Sequence, residues 1–335
     1  MTSHPEAPQE PGGLLMIGLP GLELDASTRR LITEDRVNHF ILFRRNVGSP
    51  EQLRGLCQAL RQLCADQGLG SPLIAIDQEG GSVTRLPPPF TQFGHARDLA
   101  AGSNPEEQLT SYARTCGREL RQTGINMNLA PVLDVCPAGQ KLFMEKRALG
   151  GDPATVARLG GLVITEMQSQ GVAACGKHFP GLGSAGQDPH LLLPTVLADG
   201  DQLQTVDLAP FKAVMNIGVA ALMTSHTIYP ALDPDTPATL SAIILQKMLR
   251  DELGYDGLLL TDDLEMGAIE NHWTVAQAAL QALLAGADIL LICQDHEKIR
   301  QTISLLRQAQ VDGRIPPGRL GRSLRRIADV AKKFG

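Results

Sequence analysis

Two stretches of the chain bring together residue types that can move protons or attack carbon. The first is the pair Lys177-His178, which follows the apolar run 171–175 and leads into the loop Phe179-Pro180-Gly181-Leu182-Gly183-Ser184-Ala185-Gly186-Gln187-Asp188-Pro189-His190. Asp188 and His190 stand two apart, so the carboxylate can hold the imidazole in one tautomer and raise its basicity. An isolated Asp-Pro-His is more often a turn with a surface histidine. Here the Lys-His pair and the loop glycines weigh toward a site on a moving lid, with the segment from Gly181 to Pro189 as the part that moves.

The second stretch, Thr261-Asp262-Asp263-Leu264-Glu265-Met266, sets adjacent carboxylates at the end of another apolar run. Strand side chains alternate, so one of Asp262 and Asp263 faces inward and the other needs a hydrogen-bonding role elsewhere. Taken alone the motif reads equally well as a helix cap. Asp77 and Arg85 have an ion-pair alternative, and His226 that of a satisfied core histidine.

Elements that could hold these groups together recur along the chain. Short apolar runs at 14–19, 39–43, 72–76, 127–132, 171–175, 219–223, 257–260 and 287–292 are separated by helical spacing, as in 50–67, where Leu53, Leu56, Cys57, Leu60 and Leu63 share one face. Several runs are continuously apolar, as strands buried on both faces of a parallel sheet are. Eight such βα units predict a (β/α)₈ barrel. A doubly wound open sheet is the rival, but Glu79-Gly80-Gly81-Ser82 does not match its glycine fingerprint. Polar residues follow most of the runs, among them Asp77-Gln78-Glu79, Asp134, Lys177-His178, Thr224-Ser225-His226 and Thr261-Asp262-Asp263. In a barrel those ends share the C-terminal face, where active sites form.

Composition narrows the function classes. The 335 residues carry a net charge of -6, which disfavours nucleic acid and anionic membranes as partners and points to a small molecule. The six cysteines lack metal-type or redox spacing and read as reduced. Residues 1–13 read as a disordered tail without signal-peptide character, and 14–335 as one catalytic domain. No run reaches the length of a membrane span. A soluble, cytoplasmic monomer is expected, with no cofactor. A catalytic metal is disfavoured because Lys177 and Arg147 would oppose it.

The motifs Ile76-Asp77-Gln78-Glu79-Gly80-Gly81 with Arg85-Leu86, Asn128-Leu129-Ala130-Pro131-Val132-Leu133-Asp134-Val135, Lys177-His178-Phe179-Pro180-Gly181 and Thr261-Asp262-Asp263-Leu264-Glu265-Met266 together resemble the single-domain bacterial β-N-acetylhexosaminidases of glycoside hydrolase family 3. The resemblance spans about 14–300. It implies a (β/α)₈ barrel, retaining exo-cleavage of terminal β-linked N-acetylglucosamine, and a place in recycling of cell-wall muropeptides. It assigns Asp262 as nucleophile, His190 as general acid/base oriented by Asp188, and Asp77, Arg85, Arg147, Lys177 and His178 as sugar-binding residues. If His190 does not transfer the proton, His226 and Glu265 are the next candidates for the acid. The lid departs from the family's usual Gly-His-Gly-Asp-Thr, having Gly181-Leu182-Gly183-Ser184-Ala185. A histidine in place of a carboxylate acid removes an anion that would repel phosphate, so a phosphorylase is the second reading. A β-glucosidase-type specificity and a non-catalytic sugar-binding barrel are further alternatives.

Overall fold

A computed structural model of the chain describes residues 10–335. Eight parallel strands close into one barrel in sequence order: β1 (Leu15–Gly18), β2 (His39–Leu42), β3 (Ile74–Ile76), β4 (Met127–Asn128), β5 (Ala173–Phe179), β6 (Ala221–Thr224), β7 (Leu258–Asp263) and β8 (Ile289–Ile292). The helices α1 (Ala26–Thr33), α2 (Pro50–Asp66), α3 (Pro105–Thr123), α4 (Pro153–Ser169), α5 (Ala209–Asn216), α6 (Val275–Ala285) and α7 (His296–Val311) return the chain between or after strands. After β6 that task falls to Ile243–Glu252, wound as a π-helix. A last helix, α8 (Arg319–Phe334), packs near the start of β7 and against Pro11–Leu14. All eight expected strands are present, and the barrel with its helices forms a single domain.

The apolar runs become strands because both faces are covered, by the barrel interior and by the helices. Every residue of β1 to β6 and of β8 is buried. In α2, Ser49 accepts a hydrogen bond from the Gln52 amide at the N-terminus, and Leu53, Leu56, Cys57 and Leu60 are buried as expected. Cys64 completes that buried face and Leu63 is only partly covered.

Three boundaries differ from the sequence reading. β5 continues through Lys177 and His178 to Phe179, so these side chains belong to the strand and not to the loop behind it. β4 is confined to Met127–Asn128, and beyond it Val132 makes an isolated bridge to Lys177 of β5. The packed chain also begins before residue 14. Pro11–Leu14 forms a 3-10 turn with Pro11 and Gly12 buried, and Glu10 pairs with Arg307. Residues 10–13 of the tail expected over 1–13 are thus packed, and residues 1–9 lie outside the described residues. No helix among the described residues is long and apolar enough to cross a membrane.

Candidate active site

The strand ends deliver polar groups to a cavity of about 700 Å³ at the C-terminal mouth of the barrel. Asp77, Arg85, Arg147, Lys177, His178, Asp188, His190 and Asp262 all line it, so the structure brings together every site residue named from the sequence.

One wall is an ionic cluster. Lys177, 2% exposed, donates to Asp77 Oδ1 at 2.7 Å and lies 2.8 Å from Glu79 Oε1. Arg147 grips Glu79 with two parallel bonds, Nε to Oε2 at 2.9 Å and Nη2 to Oε1 at 2.7 Å. Arg85 stands 3.7 Å from the other oxygen of Asp77. Burial disfavours charge on Glu79, but Arg147 and Lys177 prevail and hold its carboxyl well below the usual range. By the same balance, burial opposes the charge on Lys177 and the carboxylates Asp77 and Glu79 keep it an ammonium. A lysine held charged in this way can donate hydrogen bonds and is not poised as a Schiff-base nucleophile.

The second wall holds a relay of three groups. Asp134, fully buried, accepts from the His178 ring Nδ1 at 2.8 Å and from the amides of His178 and Leu182 at 3.1 and 2.7 Å. An ionised carboxylate only accepts, so Nδ1 carries a hydrogen and Nε2 is left to face Asp262 Oδ2, 3.9 Å away. Burial raises the pKa of Asp262, yet His178, His226 and Lys177 outweigh it and hold it below the ordinary aspartate value. Its neighbour Asp263 differs as strand alternation demands. That carboxyl caps the Glu265 amide at 3.1 Å, and burial, joined by the charges of Glu265 and Asp262, pushes it up to about 7.

Across the cavity, Asp188 Oδ1 lies 2.7 Å from His190 Nδ1 and also accepts the His190 amide at 2.9 Å. The imidazole is 59% exposed, with Phe143 edge-on against it. The expectation that the whole segment from Gly181 to Pro189 moves meets a divided loop. Its first half is anchored: Tyr229 donates to the Gly181 carbonyl at 2.8 Å, Leu182 and Ala185 are buried, and a Cβ on Gly183 would stand 2.0 Å from the Val135 carbonyl oxygen. Gly181, at φ +133°, makes the turn that only glycine takes easily. Gly186 has open space around it, and beyond it the carbonyls of Pro189 and His190 accept from the amides of Ala268 and Gly267, tying the dyad to the segment after β7.

Neither fallback acid is free for that task. His226 is 1% exposed, with its two nitrogens bound to Thr239 Oγ1 and the Asp263 carbonyl. Glu265 accepts the amides of Cys293, Gln294 and Asp295. Sequence reasoning passed over Glu79 and Asp134 as site members although both stand at strand ends. Their signal was position alone, since burial and partners arise only when the strands assemble. It also passed over the 141–146 segment, where nothing periodic marks a role.

Fold and cavity define a (β/α)₈ barrel with carboxylate, cationic and imidazole groups gathered in a pocket at its C-terminal mouth. Residues 10–330 match the family model described as Glycosyl hydrolase family 3 N terminal domain. A β-hexosaminidase of Pseudomonas aeruginosa is 36% identical over 310 residues, covering 92% of this chain and 90% of that protein. Among solved structures, a family 3 β-N-acetylglucosaminidase from Paenibacillus sp. str. FPU-7 superposes with a TM-score of 0.93 at 41% identity, over 97% of this chain and 62% of the longer Paenibacillus chain. The β-N-acetylhexosaminidase of Beutenbergia cavernae superposes at 0.88 with 30% identity, over 97% of this chain and 98% of its own. The chain belongs to glycosyl hydrolase family 3 and is a glycoside hydrolase.

Proposed function

We propose that the chain is a retaining exo-β-N-acetylglucosaminidase that releases terminal β-linked N-acetylglucosamine. It is a glycoside hydrolase of the β-N-acetylhexosaminidase type, as the names of its relatives support. The observation that carries the mechanism is the joint presence in one cavity of an aspartate held ionised, Asp262, and an imidazole held by a carboxylate, His190 with Asp188.

In the first step an Asp262 oxygen attacks the anomeric carbon while the bond to the leaving oxygen breaks, and His190 passes its Nε2 proton to that oxygen. In the second, His190 Nε2 takes a proton from water, the water oxygen attacks the anomeric carbon, and the bond to Asp262 breaks. Two inversions restore the β configuration. Imidazole suits both steps because it titrates near neutrality. Asp77, Arg85, Arg147, Lys177 and His178 bind the hydroxyls of the terminal sugar, offering it paired donors and acceptors on one wall of the cavity. The natural substrates in this reading are muropeptides recycled in the cytoplasm, met by the enzyme as a monomer.

Aryl β-glycosides of N-acetylglucosamine, N-acetylgalactosamine, glucose and xylose, assayed with and without phosphate, test the reading. Fastest release from the N-acetylglucosaminide, unchanged by phosphate, is expected. Phosphate-stimulated formation of sugar 1-phosphate would make the chain a phosphorylase. A mechanism-based fluorosugar should label Asp262, and a label on Asp263 would overturn the assignment.

A further inference from the structure

The loop between β4 and α4 carries groups that the reaction proposed above leaves unused. Its Phe143 ring stands 5.8 Å from the His190 imidazole, and the Arg147 guanidinium lies 5.4 Å over the same ring while it grips Glu79. One loop thus joins the hydroxyl-binding cluster to the acid-base dyad. A general acid stands at the leaving oxygen, so side chains packed beside it flank the leaving group.

Lys141, Leu142, Phe143 and Lys146 from this loop line the cavity, and both lysines are exposed. The acid between them is already committed, because Glu145 accepts the amides of Gly139 and Lys141 at 2.6 and 2.7 Å. Among the described residues no carboxylate pairs with either lysine side chain. The contrast with the inner wall is the informative part. There Lys177, Arg147 and Arg85 are matched by Asp77 and Glu79, whereas on the leaving-group side two cations form no ion pair among the described residues.

We propose that the loop from Lys141 to Lys146 forms the aglycone subsite, and that Lys141 and Lys146 select leaving groups carrying an anionic substituent near the glycosidic oxygen. Leu142 and Phe143 supply an apolar face for the body of that group. The inference rests on the reading of His190 as the acid.

The test compares kcat/KM for a nitrophenyl N-acetylglucosaminide with that for its ring-carboxylated analogue. Their ratio, followed across variants, cancels the intrinsic difference in leaving ability. Each of Lys141→Gln and Lys146→Gln should lower the preference for the carboxylated substrate by about twofold to fivefold, the range of an exposed ion pair. Lys146→Glu should lower it further, and salt should weaken it in the unmodified enzyme, since screening shortens the reach of exposed charges. An unchanged ratio in the Lys141→Gln/Lys146→Gln double variant, with both substrates still cleaved, overturns the subsite while leaving the glycosidase reading intact. Cleavage of neither substrate by the unmodified enzyme overturns both.

Discussion

Both ends of the barrel bury a carboxylate among cations, and the two clusters differ in what they leave open. At the N-terminal end, Asp288 is fully buried just ahead of β8. It accepts from Arg250 at 2.7 Å, Ser323 at 2.6 Å, Arg326 at 3.2 Å and the Leu259 amide at 3.1 Å, and Arg319 lies 3.5 Å away. Three of these partners come from α8, which closes that end, and no lone pair is left facing a cavity. At the C-terminal end, Asp77, Glu79 and Asp262 share Lys177, Arg147, Arg85 and His178 around an open volume. A saturated cluster serves stability, and one with room beside it is prepared for a ligand. Chemistry alone does not separate them, since both are built from the same ion types.

The largest effect that would sharpen this comparison is a pure loss of chemistry at the mouth. Asp262→Asn should lower kcat by roughly 10⁴–10⁶-fold while the unfolding midpoint stays near that of the parent, because a mouth built for ligand contributes little to folding. Substantial residual turnover would place the nucleophile elsewhere.

His190→Ala should lose about 10²–10⁴-fold on alkyl glycosides, whose leaving oxygen needs the proton. A dinitrophenyl group leaves unprotonated, so its glycosylation step should be nearly spared. Equal losses for both would show that His190 binds and does not transfer a proton.

The opposite signature belongs to the closed end. Asp288→Ala leaves three arginines without their buried counter-charge and should destabilise by about 3–5 kcal/mol in urea unfolding. The folded fraction should keep its KM for the aryl substrate. A changed KM with unchanged stability would erase the distinction between the two ends.

The smallest effect lies behind the anchored half of the lid. Asp207 is 1% exposed, one of its carboxyl oxygens has no hydrogen-bond partner, and it packs against Gly181. Burial, with Asp134 adding its charge, pushes it up to about 7. An acid whose folded pKa is raised binds more protons folded than unfolded, so stability falls as pH rises from about 4 to about 7 and then levels off. Asp207→Asn should remove that slope: its gain in thermal midpoint over the parent should be smallest at pH 4, grow to pH 7 and hold constant above. A gain equal at every pH would mean that Asp207 is charged throughout.

Much of this protein was legible before any coordinate. Eight apolar runs separated by helical spacing sufficed for the barrel, because a strand covered on both faces must be apolar along its whole length. Asp77, Lys177, His178 and Asp262 were expected at the mouth from their position after those runs, and each of them lines the cavity. What one dimension does not hold is the pairing. Glu79 becomes the shared anion of Lys177 and Arg147, and Asp134 the holder of His178, only because β3, β4 and β5 stand side by side; their partners lie far away in sequence and burial alone makes the contacts strong. The lid shows the same limit. Its glycines promised freedom, but Gly183 is a glycine because the Val135 carbonyl presses on it, a close approach that tertiary packing imposes and that no local pattern records.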